Sequence, residues 1–124
     1  MLISCVKHIP PKHYVLDYLM QKLMYEYQKE WYDFHPVIKA TLLHGEFVKI
    51  HPFVDGNGRT ARLFLNFELM KHGYTPIIIK NDRRAKYYDV LDLAHTTMDY
   101  GPLISLVSEF VIDKSEEFWL TILS

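Results

Sequence analysis

Over residues 13–31 apolar side chains recur at Val15, Leu16, Leu19, Met20, Leu23, Met24 and Tyr27, the three-and-four spacing of an amphipathic helix that packs on one face. Val37, Ala40, Leu43, Phe47 and Ile50 continue at the same spacing, between a Pro36 suited to a first helical turn and a Pro52 that ends the helix and leaves its C-terminus at His51. After Gly56-Asn57-Gly58, residues 60–71 are apolar on nearly every side (Ala61, Leu63, Phe64, Leu65, Phe67, Leu69, Met70), which predicts a helix enclosed by neighbours and capped at His72-Gly73. A brief extended segment at 74–79 precedes two further helices, over about 82–98 and 103–123. At the other end, residues 2–6 are short and β-prone, and Pro10-Pro11 ends them as an exposed strand or flap. The predicted fold is all-α, a compact helical bundle with a short N-terminal β flap, and residues 1–124 form one domain without internal repeat or linker.

Composition narrows the partners. A chain of 124 residues that is 49% hydrophobic fills one core of ordinary size. Its 14 basic and 15 acidic side chains nearly cancel, so no broad basic face exists for nucleic acid or an anionic membrane, and any cationic site is local. The lone Cys5 cannot form an internal disulfide, which favours a reducing, cytoplasmic setting. The longest apolar run, 61–70, is broken by Arg62, Asn66 and Glu68, and residues 1–11 hold no signal-peptide core. The strand-like start at Met1 leads one to expect an N-terminal extension upstream.

The candidate chemistry sits between residues 51 and 62. Gly56-Asn57-Gly58 can turn successive amides into one concavity, the arrangement that cradles phosphate oxygens, and the following helix adds its dipole to it. Arg59 and Arg62, three apart, lie on one helical face and both reach back to that spot. Asp55 at the mouth of an anion site makes sense with Mg²⁺ between it and the phosphates. His51 precedes the loop, and an imidazole's ordinary pKa near 6.5 suits removal of a proton from an attacking alcohol.

Simpler readings compete with each of these. A glycine turn is commonly just a turn, a histidine after a helix is commonly structural, and arginines three apart are commonly a solvated face. Together they are less easily dismissed, because the arginines open a helix whose other faces are apolar and at least one must lie in a cleft that needs an anion. A zinc site from His44, His51 and Asp55 would leave the glycines and arginines unexplained. Tyr14, Tyr18, Tyr25, Tyr27 and Tyr32 read as core packing in an amphipathic helix rather than base-stacking residues, and Lys80, Arg83, Arg84 and Lys86 as a solvated cluster whose edge could approach a nucleotide.

His51, Phe53, Asp55, Gly56, Asn57, Gly58, Arg59 and Arg62 match, without a gap, the signature His-x-Phe-x-(Asp/Glu)-Gly-Asn-Gly-Arg-x-x-Arg of the Fic family, which this chain resembles. Eight specified positions match by chance roughly once in 10¹⁰ trials. The resemblance extends through His35-Pro36-Val37 and 47–50 before the signature, and Gly73-Tyr74, Arg83, Tyr87-Tyr88 and Leu91 after it. It implies a Fic-type bundle that moves AMP from ATP, with Mg²⁺, to a serine, threonine or tyrosine hydroxyl of a target protein. His51 is then the general base, Asp55 the Mg²⁺ ligand, Gly56 to Gly58 with Asn57 the anion hole, and Arg59 and Arg62 the phosphate ligands. Tyr87 and Tyr88 fall where similar proteins line the adenine pocket, and His95 stands where eukaryotic-type members carry a nucleotide-touching asparagine. Ser4, Cys5, Val6 and Lys7 align with a flap strand that pairs with an extended target segment.

Gly58 argues for adenylyl transfer, since Doc-type kinases of the same fold carry lysine there. An inhibitory motif Ser/Thr-x-x-x-Glu-Gly/Asn is matched by residues 105–109, but Phe110 follows, so this segment reads as core or surface. Removal of AMP, transfer of another phosphate-containing group, and a non-catalytic helical interaction module remain the alternatives, and self-association into a homodimer is left open.

Overall fold

The structure, a computed structural model, describes residues 15–51 and 56–123. The flap residues Ser4, Cys5, Val6 and Lys7, and the loop residues Pro52 to Asp55, lie outside the described residues. Helix α1 (Leu16–Tyr25) carries Asp17 in its first turn and Lys22 in its last, charges that complement the helix dipole, and it runs on into a π-helical turn at Glu26–Glu30. Helix α2 (Pro36–Ile50) starts at His35, whose Nδ1 accepts the Val37 N–H at 3.1 Å, and Pro36 occupies the first turn as expected. Helix α3 (Asn57–Lys71) begins three residues earlier than the apolar pattern suggests. It closes in a Schellman motif: Gly73, at φ 88°, donates to the Met70 carbonyl at 3.0 Å and Tyr74 to the Leu69 carbonyl at 3.0 Å. A 3₁₀ turn (Asn81–Arg83) leads into α4 (Arg84–Thr97), and α5 (Gly101–Leu123) is, at 1.5 Å per residue, about 34 Å long. Among the described residues there is no strand, and no helix is long and apolar enough to cross a membrane.

Helix α2 is the hub: it packs against α1, α3, α4 and α5, and nine of its fifteen residues are buried. Ala40, Phe47 and Val48 meet Ala61, Leu65 and Leu69 of α3, Tyr87, Val90 and Leu91 of α4, and Leu103, Leu106 and Val107 of α5 in one core. The Phe47 and Phe64 rings meet edge to face at 5.0 Å.

Two expectations are corrected. Helix α3 is not enclosed, because Leu63, Phe67 and Met70 are 64%, 64% and 51% exposed. Nor do the tyrosines at 18, 25 and 32 fill the core: the packed stripe is Leu16, Leu19, Met20, Leu23 and Tyr27, whereas Tyr18 and Tyr25 of α1 and Tyr32, in the turn beyond Glu30, are exposed, and Tyr14 lies outside the described residues. Tyr27 is the partly buried one, its hydroxyl bonded to the fully buried Glu68 carboxylate, which also contacts His72 Nε2 at 3.0 Å. Desolvation of its hydroxyl and the adjacent Glu68 carboxylate raise the Tyr27 pKa.

At the α2–α5 crossing the Tyr100 ring lies where a side chain on Gly45 would be, and a Cβ there would sit 2.5 Å from Tyr100 Cε2 and 2.6 Å from its hydroxyl oxygen. Tyr100 is buried and its hydroxyl donates to Glu46, so it cannot swing aside freely. Gly45→Ala is expected to destabilise the fold by about 1–3 kcal/mol through overpacking, read as a lowered urea midpoint with unchanged slope.

Candidate active site

The junction between α2 and α3 sets up the site. His51 caps α2 at φ 56° and ψ 56°, with its N–H bonded to the Phe47 carbonyl at 3.2 Å. A left-handed backbone at a residue with a Cβ costs about 1–2 kcal/mol, and such strain concentrates where surrounding structure enforces a functional geometry. The residue is half-buried, neither sequestered in the core nor fully in solvent. Gly56 then opens α3 at φ 81°, and a Cβ on it would meet nothing within 4 Å, so glycine serves here for backbone angle and not for space. Gly58 and Asn57 belong to the first helical turn and are buried, while the left-handed backbone is at Gly56. Asn57 is 0% exposed, an unusual burial for a polar side chain at the positive end of a helix.

Arg59 is exposed and Arg62, one turn on, is half-buried, which meets the expectation that at least one arginine lies in a cleft. Arg62 borders a cavity of about 210 Å³ together with Tyr87, Tyr88 and Arg84. Asn66 and the backbone segment Ile77, Ile78 and Ile79 complete its wall. The structure thus brings together Arg62, Tyr87 and Tyr88, and the basic cluster reaches the cavity through Arg84 alone of its four members. His95 is buried beside α2, with Nε2 2.8 Å from the Gly45 carbonyl oxygen, and does not border that cavity. Asp55 precedes Gly56 but is outside the described residues.

Sequence reasoning missed the roles of His44 and Asn66. His44 is 0% exposed: Nδ1 is 3.0 Å from the Ala61 carbonyl and Nε2 is 2.6 Å from the Tyr87 hydroxyl. A carbonyl only accepts, so Nδ1 carries the proton and Nε2 accepts from Tyr87. Both nitrogens are committed, which removes His44 from the zinc alternative, and the described residues hold no cluster of three metal-ligating groups. Residues 105–109 lie on α5, where Leu106 and Val107 are buried in the core, Ser105 is exposed and Glu109 pairs with Arg83 at 2.9 Å, in keeping with a segment that is part core and part surface.

Burial drives the His44 imidazole from its ordinary value near 6.5 down to about 4, and the nearby Arg62 and His95 push the same way against the opposing effect of the Ala61 carbonyl. The folded state therefore resists a proton that the unfolded chain takes up near pH 6.5. Its stability is whole above that pH and declines as pH falls toward 4, by roughly 3 kcal/mol at the bottom of the window. His44→Gln is expected to flatten this decline relative to the parent protein, checked by urea unfolding at intervals between pH 7.5 and 4.5.

Known proteins bear on this arrangement. Residues 3–69, more than half of the chain, match the family described as Fic/DOC. Over 103 residues the chain is 44% identical to "Protein adenylyltransferase Fic" of Drosophila virilis, covering 82% of this chain and 21% of that one. It is 42% identical over 103 residues to the protein of the same name from Aedes aegypti, covering 82% and 20%. The chain spans about a fifth of the length of these relatives. Among solved structures, Fic-1 from C. elegans superposes with a TM-score of 0.82 at 29% identity over 91% of this chain and 34% of that one. A Fic domain containing signaling protein from Bacteroides thetaiotaomicron gives 0.76 at 30% identity, over 86% and 45%. On signature, helical architecture and family match alike, the chain belongs to the Fic/DOC family.

Proposed function

We propose that this chain is a protein adenylyltransferase, moving AMP from Mg-ATP to a serine, threonine or tyrosine hydroxyl of a target protein. The observation that carries the reading is the pairing, across one α2–α3 junction, of a strained half-buried His51 with an arginine-bearing helix start that leads into a tyrosine-walled cavity. The name of the relatives, "Protein adenylyltransferase Fic", supports the same chemistry.

In this reading the target hydroxyl oxygen attacks the α-phosphorus of ATP and its proton passes to His51. The bond from that phosphorus to the oxygen bridging to the β-phosphate breaks, and pyrophosphate departs with charge offset by Arg59, Arg62 and the amides at the start of α3. Gly56, Asn57 and Gly58 hold the phosphate oxygens, and the small Gly58 leaves room that a lysine would fill. Tyr87 and Tyr88 flank the base, whereas His95 is held at the Gly45 carbonyl and does not border their cavity. A hard carboxylate next to a phosphate cradle fits Mg²⁺, so Asp55 is the residue assigned to hold it, and the ion when bound neutralises phosphate charge. Ser4, Cys5, Val6 and Lys7 pair with an extended stretch of the target by strand addition.

His51→Ala is expected to lower transfer by about 10²- to 10⁴-fold while Mg-ATP still binds. Labelling of candidate targets with radioactive ATP, alongside calorimetry, checks both halves; undiminished labelling removes His51 from its role.

A further inference from the structure

Helix α3 carries the phosphate end of the proposed site in its first turn and Asn66 two turns later, about 12 Å along the axis from Gly58. Arg59, Arg62 and Asn66, spaced by three and four, share one face of that helix. Asn66 Nδ2 donates to the Ile77 carbonyl at 3.0 Å, and the Ile77 N–H donates to Asn66 Oδ1 at 2.8 Å. One side-chain amide thus satisfies both polar groups of one backbone residue, the role a neighbouring strand would play. Ile77 lies in segment 74–80, which belongs to no helix or strand, and it is the point at which that segment enters the core. The next two residues, Ile78 and Ile79, go on to wall the cavity that Arg62 and Tyr88 border.

We infer that Asn66 is a positioning residue that fixes the cavity wall at 77–79 relative to the phosphate-binding turn, so that α3 acts as a ruler between the two ends of a nucleotide. The inference rests on the nucleotide reading of the site. Without the amide, the Ile77 N–H and carbonyl must find water or other partners, and the segment that carries them moves off α3. The phosphate end, set by Gly56 and the helix start, is unaffected by that movement. Asn66 therefore governs how well a base is accepted and leaves phosphate binding alone.

The test compares Mg-ATP with Mg-tripolyphosphate, which lacks base and ribose, by calorimetry on the full chain. Asn66→Leu, close in size but without polar atoms, is expected to weaken ATP binding by about tenfold or more and to leave tripolyphosphate within about twofold. Asn66→Gln, which keeps the amide one methylene further out, is expected to fall between the parent protein and Asn66→Leu for ATP. Equal losses for both ligands, or ATP affinity unchanged in either variant, overturn the assignment. Should far-UV circular dichroism show Asn66→Leu unfolded, Asn66→Gln decides by the same comparison. A parent protein that binds ATP no more tightly than tripolyphosphate instead sinks the nucleotide reading, before any variant is made.

Discussion

A buried imidazole must have both ring nitrogens satisfied, and this requirement at His44 ties the molecule together. From the middle of α2 it takes the Ala61 carbonyl of α3 on one side and the Tyr87 hydroxyl of α4 on the other, at 3.0 and 2.6 Å. Because burial keeps the ring neutral, it works as one donor and one acceptor, and either protonation or loss leaves polar groups stranded in the core. The helix that holds His44 also ends in His51, and the helix it grips begins with the glycine turn. The tyrosine it grips walls the cavity. The residues proposed as catalytic base, phosphate cradle and base pocket are thereby referred to one buried side chain, which bonds Tyr87 of the cavity wall directly.

The second fixed reference is Asn66, which does for an irregular segment what a sheet would do for a strand. Together the two buried or half-buried polar groups explain how a small bundle holds a cavity open. Apolar packing alone is tolerant of repacking, whereas hydrogen bonds with defined partners admit one arrangement.

Much of this could be read from the residues beforehand, and the reasons are specific. The helices Pro36–Ile50, Arg84–Thr97 and Gly101–Leu123 follow from apolar spacing to within about two residues at each end, and the Gly73 cap follows from the need for a left-handed residue after α3. Arg62 in a cleft follows from its apolar company. Hidden from such reading were the roles of His44 and Asn66, since each acts by contacts 11 to 43 residues away that no local pattern encodes. The exposed Leu63, Phe67 and Met70 misled for the complementary reason: hydrophobicity tells which residues prefer burial and not whether a neighbour is present to bury them. The tyrosines at 18 and 25 misled through identity, because their spacing of seven already set them apart from the packed stripe, and Tyr32 misled because the helix stops at Glu30 before reaching it.

The left-handed cap at His51 has a consequence for how this protein balances durability against work. A helix end in that conformation is most comfortable with glycine or asparagine, so the imidazole there is kept at the expense of a more stable fold. Selection for robustness alone would drift toward those residues and extinguish the chemistry proposed for His51, so that in this reading the strained cap is a place where evolution toward heat tolerance and evolution toward turnover pull in opposite directions.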